Sequence, residues 1–377
     1  MTIESVDKVP PESGVSTAAA KPKRTRAENL VLVRKVWPWL FLVLMVVVFS
    51  IASQQANNVT FLSFRSVQGI LLYATQILLI GLGETFIIVA AGIDLSSGWV
   101  LGFSAVIAAQ IMEALYAANA SPIVTIGLGM LGGTLIAIIP GLLNGLLIAR
   151  VKVPAFIVTV GMGFVVEGVA LIRSGGYPVT HQPPYLSPLG NGSLLYYWPG
   201  HGITFFNMPP TATTEEFQSI IPLMPNVVFV AIIVTAICWF ILAKTQFGQH
   251  LYAIGGSFEA AVRAGIPVNR VLIKAYTLAA VLAGIAGVIW TTRFTSGAYN
   301  AGETTTLNAI AAAVIGGASL FGGEGTIVGT IVGALIIGTI TYGLVVLGVS
   351  PFWQFVAVGV VVIFAVIMDQ FGRKLGK

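Results

Sequence analysis

Residues 325–346, GTIVGTIVGALIIGTITYGLVV, run on without one charged side chain. About 20 apolar residues let an α-helix cross the hydrocarbon core of a bilayer, so this stretch reads as a membrane span. Glycines recur four apart at Gly325, Gly329 and Gly333, as they do at Gly129 and Gly133 and at Gly141 and Gly145. That spacing gathers small residues on one helix face and lets a neighbouring helix come in close. Outward from this stretch, apolar runs bounded by charge, proline or polar clusters mark further candidate spans at 36–52, 66–91, 97–115, 122–149, 154–172, 223–243, 271–291, 304–320 and 352–369. The predicted fold is all-α and polytopic, with about ten transmembrane helices. The run 66–91 is longer than one span needs and holds Gly81, Gly83 and Glu84, which predicts a tilt or a break near its middle.

Composition agrees: 56% of the residues are hydrophobic and 9% charged, which excludes a soluble domain. The apolar runs are unbroken, whereas the strands of a transmembrane β-barrel alternate residue by residue. Cys238 is the only cysteine, so no disulfide forms within the chain and no cysteine-based metal site exists.

The charges set the topology. With a cytoplasmic N-terminus, all of the 19 Lys and Arg residues except Arg65, Arg173 and Arg293 fall on inside segments or their helix edges, the bias expected of cytoplasmic loops. An even number of spans then places both termini in the cytoplasm. Residues 1–35 read as a disordered basic tail at the lipid headgroups, 36–370 as one transmembrane domain, and 371–377 as a second tail. Two loops are long enough to have roles. The outside loop 174–222 is rich in Pro and Gly and carries Tyr196, Tyr197 and Trp198. In the inside loop 244–270, residues 258–264 read as a short amphipathic helix with Ser257 as N-cap and Gly265 as stop.

The chemistry that is missing narrows the function. No G-x-x-x-x-G-K-[ST] loop occurs, so the chain does not hold ATP by that route. The string Gly127, Gly129, Gly132 matches G-x-G-x-x-G, but it lies inside an apolar span with no preceding strand, which favours helix packing over dinucleotide binding. His181, His201 and His250 lie in loops without metal-binding neighbours. No catalytic residue, metal site or nucleic-acid partner is expected. The carboxylates at membrane depth are few: Glu84 and Glu167 within runs, and Asp94 beside Ser96 at a boundary. An ionisable group at a helix centre costs roughly 2.5–3.5 kcal/mol on insertion scales, so such groups line a polar route, relay protons, or sit neutral and hydrogen-bonded. Asp94 reads equally as the N-terminal charge of the next helix, with Ser96 as cap. In 302–317, Thr304, Thr305 and Asn308 stand among alanines, and Thr305 and Asn308 share a face, as in a lining for a neutral hydrogen-bonding solute.

Six stretches together carry a resemblance: AGIDLSSG (91–98), GLLNGLLIARVKVPAFIVTVG (141–161), SGGYPV (174–179), TQFGQHLYAIGGSFEAAVRAGIPVNRV (245–271), LNAIAAAVIGGASLFGGEGTIVGTIVGALIIG (307–338) and GVSPFWQ (348–354). In this order the chain resembles the membrane permease subunits of ATP-binding-cassette importers for monosaccharides of the ribose, xylose, galactose and inositol type. The resemblance implies a type II importer-like permease fold in the cell (inner) membrane. It further implies a second permease copy, as homodimer or homologous heterodimer, and an external solute-binding protein. ATP and Mg are then expected on a separate ATPase, with no cofactor on this chain. Gly255, Ser257, Glu259, Ala260, Ala261, Arg263 and Gly265 match the family's ATPase-coupling element. The candidate solute pathway comprises Glu84, Asp94, Ser96, Thr159, Thr305, Thr306 and Asn308. The chain departs from the family at Ala91-Gly92, at Ser97-Gly98-Trp99 and at Thr306-Leu307-Asn308-Ala309. Competing expectations are a proton-coupled secondary transporter using Glu84 and Glu167, a permease for nucleosides or branched-chain amino acids, and a membrane scaffold that moves no solute.

Overall fold

The apolar runs become helices because inside a bilayer the backbone has only itself to hydrogen-bond with. The computed structural model describes residues 26–206, 219–350, 352–360 and 363, with side chains from residue 36 onward. Its elements are α1 (Arg26–Asn57), α2 (Phe64–Val89), α3 (Ser97–Ala117), α4 (Pro122–Ile136), α5 (Ile138–Leu146), a π-helical turn Leu147–Val151, α6 (Ala155–Ser174) and α7 (Leu186–Asn191). Three strands follow, β1 (Ser193–Trp198), β2 (Gly202–Phe205) and β3 (Ile221–Pro225), then α8 (Asn226–Lys244), α9 (Gln246–Gly256), α10 (Phe258–Arg263), α11 (Val268–Phe294), α12 (Thr305–Ile315) and α13 (Ile327–Val346). Among the described residues 8 helices are long and apolar enough to cross a membrane, with α4, α5 and the π turn acting as one. The chain is a helical, multi-pass membrane protein. Residues 352–360 are helical again; most of the remaining run to 369, the tail 371–377 and residues 1–25 lie outside the described residues.

The helices depart from expectation in four places. Residues 26–35, expected in the disordered tail, are the first turns of α1, because the apolar stretch Leu30–Val33 lets the helix continue beyond the span. α2 is unbroken. Its glycines serve close packing instead: a Cβ on Gly83 would lie 2.9 Å from the Ala279 Cα of α11. The run 122–149 is divided at Ala137, between α4 and α5, shortly before Pro140, whose ring removes a helix hydrogen bond. It ends through the π turn on Lys152 at φ 62°.

The fourth departure concerns 304–320. Only Thr305–Ile315 is helical there, 11 residues, or about 17 Å at the helical rise, which is half a bilayer core. The chain crosses in two pieces. It leaves the sheet end of the bundle at Gly297, paired with Val179, and descends without regular structure to α12. It then reaches the opposite end, where the Gly323 N–H donates to the Val89 carbonyl at 2.9 Å. The irregular piece fits because Gly98, Gly102 and Gly302 have no Cβ: one on any of them would strike the facing backbone of 98 or of 299–302.

Glycine spacing builds the rest of the bundle. Gly129 lies against Met112 and Gly133 against Ala108 of α3, Gly141 and Gly145 lie on α11, and Gly333 lies on Ala312 of α12. The string at 127–132 is therefore packing, with Gly127 facing open space. Gly325 leaves the ladder, since it precedes α13 at φ +154°. At one end of the bundle, β1 runs between β2 and β3 in an antiparallel sheet. Tyr196 and Trp198 are buried there with Ile220, while Phe205 and Phe206 are exposed. At the other end sit α9 and α10.

Candidate functional site

Where α2 ends, the chain turns back into the protein. The N–H groups of Ala90 and Gly92 both return to the Ile87 carbonyl, and Ala91 adopts φ 61° to allow it. Residues 92–96 then carry Asp94 and Ser96 inward, so that α3 starts beside the last turns of α2. Ser97 Oγ donates to Glu84 Oε1 at 2.9 Å, and the Gly98 N–H donates to Thr306 Oγ1 at 2.7 Å. Asp94 Oδ1 accepts both the Ser96 N–H, at 2.8 Å, and the Ser96 hydroxyl, at 2.6 Å. Ser96 Oγ in turn accepts from Asn144 Nδ2 of α5 at 2.9 Å. Ser96 makes no cap bond to α3, so it serves Asp94 and not the helix end.

This cluster is shut off from solvent: Glu84, Ser96 and Asn144 are 0% exposed and Asp94 1%. Burial pushes the Asp94 carboxyl above the usual carboxylate range, while the two Ser96 donors oppose the shift. Four of the expected pathway residues are thereby brought together, namely Glu84, Asp94, Ser96 and Thr306. Thr305 is buried beside Thr306 but directs no hydrogen bond into the cluster, and Asn308 is only half-buried. Thr159 is buried on α6, where its hydroxyl turns back to the Phe156 carbonyl at 3.4 Å. Glu167, half-buried on α6, shares no hydrogen bond or ion pair with Glu84 among the described residues.

Sequence reading missed Ser97, Asn144 and Tyr276. Asn144 had a signal, since a lone amide in the apolar run GLLNGLL needs a partner. Tyr276 had none, because a tyrosine in an amphipathic stretch is ordinary. Its hydroxyl stands over Gly92, 2.7 Å from where a Cβ would be.

The loop 244–270 forms a compact unit. Thr245 caps α9 and Ser257 caps α10, whose Ala260 N–H reaches Ser257 Oγ at 3.3 Å. Gly265 ends the turn at φ +77°, a conformation that suits glycine. Ala261 is buried, whereas Glu259 and Arg263 project outward, 3.8 Å apart. The unit is seated on the bundle in two ways. Gly255 packs directly on the Val89 carbonyl and the Gly323 nitrogen, and the Tyr252 hydroxyl donates to the Gly325 carbonyl at 2.6 Å. The Val89 carbonyl thus joins α2, the α12–α13 loop and the α9–α10 unit at one point.

Comparison with known proteins places this arrangement among transport permeases. The family described as the branched-chain amino acid transport system / permease component matches residues 66–367. The ribose import permease protein RbsC of Bacillus subtilis (strain 168) is 36% identical over 339 residues, 90% of this chain and 94% of its own. The galactose/methyl galactoside import permease protein MglC of Escherichia coli (strain K12) is 33% identical, covering 89% and 95%. The fructose import permease protein FrcC of Rhizobium meliloti is 33% identical, covering 79% and 75%. No solved structure matches the chain.

Proposed function

The chain belongs to the branched-chain amino acid transport system / permease component family, and from that premise we propose that it is the membrane permease subunit of an ATP-binding-cassette importer for a monosaccharide. The observation that carries this reading is likeness along nearly the whole chain to sugar import permeases, 90% of it in the ribose case. Such a subunit works beside a separate ATPase that holds ATP and Mg, an external solute-binding protein and a second permease copy. It sits in the inner membrane with α10 and both termini on the cytoplasmic side, and the sheet end outside.

The geometry suits that task. α10 offers a small, capped helix with one acidic and one basic side chain exposed, a shape that can seat in a groove of a partner. A force on it reaches the end of α2 through Gly255 and the α12–α13 loop through Tyr252. Those segments hold the turn 90–96 and α12, hence Asp94 and Thr306. The polar residues at the α2–α3 turn and the start of α12, buried in this conformation, support a pathway for a hydroxyl-rich solute at that level. Glu84 and Glu167 share no hydrogen bond or ion pair among the described residues, which gives no support to a relay between them.

The test is reconstitution. The full-length permease, purified with whatever ATPase accompanies it, is placed in vesicles and offered labelled ribose, galactose and fructose. Uptake that needs ATP and the solute-binding protein supports the reading; uptake driven by a proton gradient without an ATPase overturns it.

A further inference from the structure

Two carboxylates, Glu84 and Asp94, are buried together, and no Lys, Arg or His among the described residues pairs with either. An unpaired buried anion is unfavourable by several kcal/mol, so two carboxyls buried side by side are satisfied by protons or by a cation. The neutral groups around them are arranged for one. Ser97 occupies only Oε1 of Glu84, and Oε2 has no hydrogen-bond partner. Ser96 takes the nitrogen of the Asn144 amide, which directs that side chain into the cluster, yet its Oδ1 is unpartnered. The Tyr276 hydroxyl, buried above Gly92, faces the backbone N–H of Ile93 and has no acceptor for its own proton. Buried polar atoms in folded proteins almost always find a partner; here Glu84 Oε2 and Asn144 Oδ1 have none. The turn they surround follows the C-terminus of α2, the end of a helix that favours cations.

We propose that Glu84, Asp94, Asn144 and Tyr276 enclose a binding site for a hard cation of the sodium or calcium type. Oxygen-only donors with two carboxylates suit such ions and not the transition metals, which favour imidazole and thiolate. The ion ties α5 and α11 to the α2–α3 turn, and it holds that turn folded back so that Ser97 and Gly98 meet Glu84 and Thr306. The proposal does not depend on which solute is carried, and its test does not use transport.

The test is thermal unfolding of the full-length permease in detergent, titrated with NaCl or CaCl2 against choline chloride at constant ionic strength. An ion that binds only the folded state raises the midpoint as its concentration passes the dissociation constant. The site predicts a saturable rise with sodium or calcium. Asn144→Ala and Tyr276→Phe should each raise the half-saturating concentration about tenfold or more, the loss typical of weakened metal surroundings. Glu84→Gln, which preserves shape, should abolish the rise. Retention of radioactive sodium or calcium by wild-type protein, displaced by the unlabelled ion, gives a reading independent of stability. A wild-type midpoint that is the same in all three salts, with no retained isotope, overturns the proposal and leaves a shared proton as the counter-charge. A rise that persists unchanged in Glu84→Gln overturns it equally.

Discussion

The Tyr252 hydroxyl reaches the carbonyl of Gly325, 73 positions further along the chain, with a 2.6 Å hydrogen bond. That bond ties α9, outside the bundle, to the loop that leads from α12 into α13. Tyr252→Phe removes one neutral hydrogen bond, about 0.5–1.5 kcal/mol, and leaves the ring in place. The expected outcome is a permease that still folds but shows reduced ATP-driven uptake, read as a lower transport rate at unchanged ATPase binding.

Gly255 is the second tie. Any side chain there strikes the Val89 carbonyl and the Gly323 nitrogen, both backbone atoms that cannot rotate away. Gly255→Val should destabilise the protein by about 1–3 kcal/mol, as overpacking does, and should stop uptake altogether. Thermal unfolding together with vesicle uptake checks both halves. A variant with normal transport would show that α9 and α10 are not seated as described.

Glu259 and Arg263 are each 84% exposed and, among the described residues, pair only with each other, so their exchange should leave stability within about 0.5 kcal/mol of wild type. The double variant Glu259→Lys, Arg263→Glu inverts the charge pattern offered to a partner. It should lose the ATPase on purification and lose uptake with it, at an unchanged unfolding midpoint. Normal uptake would remove α10 from the coupling role.

Asp94 accepts two buried donors from Ser96. Asp94→Ala strands both, at about 1–3 kcal/mol for each donor left bare, whereas Asp94→Asn keeps an acceptor in the same position. Unfolding measured in choline chloride should therefore rank the variants with the alanine form clearly below the asparagine form. Equal midpoints would mean that the turn 90–96 is held by something other than these bonds.

Much of this architecture was legible in the sequence because membrane helices announce themselves by length and apolarity alone. The cap at Ser257 and the stop at Gly265 were legible for a similar reason: each depends on its own residue type and immediate neighbours. The crossing at 295–315 was not. Its irregular half is stabilised by backbones lying on Gly98 and Gly102, contacts between segments far apart in sequence. The polar cluster was half legible. Glu84 and Asp94 stand out in an apolar chain, but their association requires the fold-back after α2, which rests on the left-handed Ala91, a residue type that gives no warning of it. Thr306 and Asn308 both read as pathway residues at the start of α12; the fold brings Thr306 onto Gly98 through the Gly98 N–H, while Asn308 is half-buried.

The glycine contacts have a mechanical corollary. At Gly316 on Gly329, Gly98 on Gly302 and Gly287 on Leu101, main chain lies on main chain with no rotatable group between. Side chains cushion displacement by changing rotamer, and here there is no cushion. A tilt imposed on one of these segments is therefore passed directly to the segment it touches. Any change of shape must move whole blocks of these segments together.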